Sequence, residues 1–131
     1  MKFATFTLQK DPFHLYVKIE KDYATQTDFR DLFNSLLQVF DFEDHFTLHV
    51  DATSIERADL SAVPYIAGFM KEHRPKFKEQ LIASAIVINS EMVRDLINMV
   101  FHVVPPSAPN IVTLDNEKGI NFIESYRPCP Q

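Results

Sequence analysis

The sequence predicts an α/β domain on a mainly parallel five-stranded sheet with an antiparallel hairpin at its N-terminus. Two alternating segments, Phe3–Gln9 and Phe13–Glu20, are separated only by Lys10-Asp11-Pro12, as the arms of a hairpin are. After them, apolar runs of strand length alternate with runs whose apolar residues recur at helical spacing. The resulting order, β-β-α-β-α-β-α-β-α, calls for right-handed crossovers between parallel neighbours. At 131 residues the chain fits a single domain over 1–131, large enough to bury a core without staples.

The first segment places Ala4, Phe6 and Leu8 on one face and Thr5 and Thr7 on the other. The second alternates more cleanly, with Phe13, Leu15, Val17 and Ile19 against His14, Tyr16, Lys18 and Glu20. The first helix follows from Phe29, Leu32, Phe33, Leu36, Leu37 and Phe40, which share one helical face. Thr25 or Thr27 caps it, and Asp28 and Asp31 sit where the helix dipole favours carboxylates. A third strand, Phe46–Ala52, sets Phe46, Leu48 and Val50 against Thr47, His49 and Asp51.

A second helix is expected from Ser61 or Ala62 to His73, with Pro64 in its first turn and Pro75 ending it. Leu81–Ile88 is short and almost wholly apolar, as a parallel strand covered on both faces would be. Ser90 caps a third helix with the stripe Val93, Leu96, Ile97, Val100, Phe101 and Val104, stopped by Pro105 and Pro106. Ile111–Leu114 is a fifth strand and Asp115 the cap of a last helix marked by Ile120, Ile123 and Tyr126. The polar faces of the first three strands predict a sheet side that is incompletely covered, with helices shared unevenly between the faces.

Composition narrows the function. Hydrophobic residues make up 46% and charged residues 24%, the balance of a globular chain rather than a disordered one. Twelve Phe and no Trp make the aromatic volume almost all apolar, which suits packing. A net charge of −5 argues against nucleic acid, whose phosphates demand concentrated Lys and Arg. Cys129 is the single cysteine, so neither an intrachain disulfide nor a thiolate-rich metal site is expected. His14, His45, His49, His73 and His102 show no HxH or HExxH spacing. Gly68 and Gly119 are the two glycines and both fall in predicted helices, so no glycine-rich nucleotide cradle and no cofactor are expected. The N-terminus lacks a signal pattern and no apolar run is long enough to span a bilayer. A cytoplasmic location is the expectation.

The element order, with Leu48-His49-Val50-Asp51 through Asp59-Leu60-Ser61-Ala62-Val63 and Gly68, resembles the STAS domain. That family includes anti-anti-sigma factors and the cytoplasmic domains of sulfate transporters. Ser84-Ala85-Ile86-Val87-Ile88-Asn89, then Val93–Phe101 and Pro105-Pro106, is similar to the lipid-binding CRAL-TRIO domains, which have a related sheet. The STAS resemblance implies a non-catalytic regulatory or protein-interaction domain. In phospho-regulated members the acceptor serine directly follows an Asp at the start of the second helix. Here Asp59 is followed by Leu60, and the serine comes one place later, at Ser61. The CRAL-TRIO similarity implies the alternative, a module for a lipid or small apolar ligand held between the sheet and the third helix.

The candidate surface for a partner or a phospho-switch is therefore Asp51, Thr53, Ser54, Asp59 and Ser61. A phosphate at Ser61 would meet free N–H groups and the positive end of the helix dipole. Asp59 and Ser61 are equally ordinary helix-capping residues. His49 is a second candidate: it lies two residues from Asp51 on one strand face, where a carboxylate can orient an imidazole for general-base work. No Ser or Cys nucleophile is identifiable beside it, so an enzyme is not the expectation. Lys71, Arg74, Lys76 and Lys78, around Pro75, form either a docking lip for acidic groups or a solvated helix end. The polar-faced hairpin offers an unpaired edge through which a homodimer would form.

Overall fold

The computed structural model describes residues 3–9, 13–42 and 45–126. The Lys10-Asp11-Pro12 connection and Cys129 lie outside the described residues. Strands β1 (Ala4–Gln9) and β2 (His14–Ile19) pair antiparallel, with Phe6 opposite Val17 and Leu8 opposite Leu15. A two-residue strand β3 (Tyr23–Ala24) precedes helix α1 (Gln26–Phe42). Then come β4 (Phe46–Ala52), a second two-residue strand β5 (Arg57–Ala58), and helices α2 (Ala62–Glu72) and α3 (Arg74–Gln80). Strand β6 (Leu81–Ile88), helix α4 (Glu91–Val103), strand β7 (Asn110–Thr113) and helix α5 (Asn116–Tyr126) complete the described order.

The main sheet runs β1-β2-β4-β6-β7, and β2, β4, β6 and β7 are mutually parallel. Each step from β2 to β7 therefore moves one strand in the same direction. Right-handed crossovers that all step one way put their helices on one face. The burial pattern agrees: α1, α2 and α4 supply Leu36, Phe40, Ile66, Leu96 and Val100 to a core shared with Leu15, Val17, Ile19 and Leu48. Phenylalanines fill it, with Phe33 stacked on Phe69 at 4.3 Å and Phe40 against Phe46 at 5.2 Å.

Only α5 takes the other face among the described helices. It makes a small cluster with Ala83, Ala85 and Ile123, and Gly119 brings its backbone against Val87 and His49. The β1–β2 half of that face stays open, with Thr5, Thr7, Gln9 and Lys18 exposed. The uneven sharing expected from the polar strand faces is thus found.

One expectation needs correction. Pro75 does not stop helical structure; α2 ends at Glu72, and Pro75 lies in the first turn of α3. A proline there gives up an N–H that has no intrahelical partner anyway, and its fixed φ suits a helix start. Between β4 and α2, β5 pairs in parallel with β3, Tyr23 opposite Arg57 and Ala24 opposite Ala58.

Candidate functional site

The parallel strands β2, β4 and β6 share a carboxyl edge, where ligand sites of open α/β sheets gather. The β3–β5 pair extends that edge outward and fixes it. Asp22 O accepts from Glu56 N–H at 2.8 Å, and Ala24 O accepts from Asp59 N–H at 2.8 Å. Ser90, at the exit of β6, donates its hydroxyl to the Glu56 carbonyl at 2.9 Å. Ile55, Ala58 and Ala62 are buried beneath. The rim is therefore held by backbone bonds on one side and by core packing on the other.

Asp51 closes the end of β4. One carboxylate oxygen accepts from Thr53 N–H at 3.1 Å and Thr53 hydroxyl at 2.6 Å, and the other accepts from Tyr16 hydroxyl at 3.0 Å. Partial burial pushes its pKa up, but the Thr53 hydroxyl and N–H, then Tyr16, outweigh it and hold the carboxyl below the ordinary range. Tyr16 moves the other way, raised by burial first and then by the bond to Asp51.

Asp59 accepts Ser61 N–H at 2.9 Å, and its pKa is lowered by the Ser61 contact. The Ser61 hydroxyl does not cap α2. Ser61, Thr53 and Ser54 are exposed. Among the described residues no hydrogen bond or ion pair joins the Asp51 group to the Asp59–Ser61 group. The five rim candidates thus share an edge but form two separate local turns.

His49 belongs to a different place. The residue is 2% exposed, under α5, with its ring Cε1 toward Gly119. It stacks on Tyr16 at 5.2 Å and meets His14 edge-on at 6.5 Å. Asp51 gives its bonds to Thr53 and Tyr16 rather than to this imidazole, and Nε2 is buried with no hydrogen-bond partner. Burial lowers the His49 pKa against smaller upward pulls from the Asn116 side chain and the Asp51 charge. Beside it, His14 Nδ1 and Thr47 Oγ1 are 2.8 Å apart. Among the described residues no three His, Cys, Asp or Glu side chains converge as a metal site would require.

Three features escaped sequence reasoning. Tyr23 is 43% exposed and lies beneath the Arg57 guanidinium at 5.8 Å from the ring centre, and Leu60, three residues on from Arg57, is 49% exposed. A strand of two residues has no readable period, so nothing in the sequence brings Tyr23 to Arg57. The third is an apolar cavity of about 200 Å³ on the helix-covered face, bounded by the sheet, α1, α2 and α4.

No protein-family model matches this sequence, and no curated protein is detectably similar to it. A crystal structure of an uncharacterized protein from the DUF3478 family, from Shewanella loihica PV-4, superposes with a TM-score of 0.64 at 13% identity. The match covers 94% of this chain and 95% of that one. That protein is described as having a SpoIIAA-like fold. This chain therefore has the SpoIIAA-like, anti-anti-sigma-factor type of α/β fold, as the STAS resemblance implied. Among the described residues no helix is long and apolar enough to cross a membrane.

Proposed function

We propose that this chain is a non-catalytic regulatory or protein-interaction domain that docks a cytoplasmic protein partner on the rim framed by β3 and β5. The carrying observation is the exposed set Tyr23, Arg57 and Leu60 on a backbone-pinned edge. Tyr and Arg are the residues that most often dominate binding energy, and a pre-ordered edge loses little entropy on docking. Thr53, Ser54 and Ser61 would form the polar surround, with Asp51 and Asp59 holding their turns. Phosphorylation of the exposed Ser61 would add charge beside Asp59 and alter docking. Affinity capture with cross-linking tests the reading. Leu60→Asp and Tyr23→Ala should abolish capture while leaving the fold unchanged. Cross-links wholly outside residues 22–24 and 51–61 would reject the rim.

A second reading is supported by the cavity: a carrier or sensor for a small apolar ligand between the sheet and α4. Native mass spectrometry discriminates. A bound apolar molecule favours this reading, and a bare mass with no thermal shift across a panel of small apolar molecules counts against it.

A further inference from the structure

The cavity has a chemistry that narrows its occupant. None of the side chains lining it is ionisable. A charged group placed there would lose its water and find no counter-charge, which is strongly unfavourable. A neutral ligand is required.

Its apolar wall is underpacked. Val50 and Ile86 stand on the two strands nearest the middle of the sheet, beneath the helices, yet each is only partly buried. Both line the cavity. Apolar surface left accessible at such a position is gained back when something apolar covers it.

One end is polar. Ser84 and Asn110 face each other across the β6–β7 ladder and both line the cavity. Asn110 donates its side-chain N–H to the Ser84 hydroxyl oxygen at 2.6 Å. That bond leaves the serine proton as a donor and the asparagine amide oxygen as an acceptor. Size sets the last limit. An apolar cavity of about 150 Å³ accommodates benzene, so one of about 200 Å³ suits roughly eight to ten heavy atoms. A long lipid chain does not fit.

We infer that this cavity binds a short, neutral amphiphile, with its apolar body on Val50, Ile86 and the α4 stripe and one hydroxyl head on Ser84 and Asn110. This rests on the apolar-ligand reading above and adds the head group, the charge and the size.

The test titrates the full chain with 1-octanol, n-octane and sodium octanoate, following side-chain methyl signals by NMR. Octanol should saturate, with shifts concentrated at Val50, Ile86 and Val100 and a rise in Tm. Octane should bind about 2- to 10-fold more weakly, the worth of one hydrogen bond, and octanoate should not saturate. Ser84→Ala combined with Asn110→Ala should bring octanol down to the level of octane. Val50→Phe, which fills the space, should abolish octanol binding. Should that variant not fold, the methyl map of the unaltered protein decides, since shifts scattered over the outer surface overturn the site. Equal binding of octane and octanol, or preferred binding of octanoate, overturns the head-group assignment while leaving the apolar-ligand reading standing. No saturable shift with either neutral probe ends both.

Discussion

Gly68 and Gly119 are both helical and stand in opposite surroundings. A Cβ on Gly68 would meet nothing within 4 Å. Gly68→Ala should therefore stabilise the protein by about 0.5–1 kcal/mol, the helix-propensity difference. A Cβ on Gly119 would lie 3.0 Å from Val87 Cγ2 and 3.3 Å from His49 Cε1. Neither neighbour has room to yield, because both are at most 2% exposed. Overpacking of about 1–3 kcal/mol then exceeds a propensity gain of about 1 kcal/mol. Gly119→Ala should destabilise by up to about 2 kcal/mol. Urea unfolding of the two variants checks the contrast, and a Gly119→Ala midpoint at or above the original would mean that α5 is not seated on His49. The sequence placed both glycines in helices. It did not tell them apart, since the demand at Gly119 comes from strands β4 and β6, far away in the chain.

At the level of elements, α1 begins with a reciprocal cap. Thr25 Oγ1 accepts Asp28 N–H at 3.1 Å, and Asp28 accepts Thr25 N–H at 3.0 Å. Lys21 adds an ion pair to the same carboxylate at 3.2 Å. Thr25→Ala and Asp28→Ala should each cost about 1 kcal/mol. The double variant should cost less than their sum, because each side chain serves the other's backbone. Strict additivity in denaturant unfolding would show that the box is not formed. The apolar stripes of α1 and α4 were legible because both helices are long enough to repeat their spacing. Thr25 and Thr27 were indistinguishable, since either hydroxyl could precede the same stripe. Pro75 was read as a stop because a proline bars a helix only from its interior, and sequence does not mark where the next first turn falls. Strands β3 and β5 left no periodic trace, so the frame of the candidate rim, and with it Tyr23, Arg57 and Leu60, came from tertiary pairing alone.

Across the whole molecule, the alternation of β2 and β4 foretold two unlike faces, and the sequential strand order explains why α1, α2 and α4 crowd onto one of them. Among the described helices α5 alone crosses to the other, and it covers the strand positions that carry His49, Ala85 and Val87. A strand pattern shows that His49 and Asp51 share a side. It does not show that a later helix will seal one and leave the other at an edge. The consequence is a pH dependence in two stages. The His49 pKa lies below its ordinary value of 6.5, so near that pH the unfolded chain binds more protons than the folded one. Stability is then complete above about pH 6.5 and declines as pH falls through it toward the folded value. Asp28 and Asp51 have folded pKa values below 3.8. For Asp28, burial pushes upward but the Thr25 N–H and the Lys21 ammonium prevail. Their contribution is present above the unfolded carboxylate value and is lost only as pH falls through the folded ones. Thermal unfolding should therefore show Tm falling as pH drops through about 6.5, the ordinary histidine value, and again below about pH 4. His49→Leu removes the buried Nε2 that lacks a partner and should flatten the upper stage while leaving the lower one. Persistence of the upper slope in that variant would place the titrating group elsewhere and refute a neutral imidazole locked beneath α5.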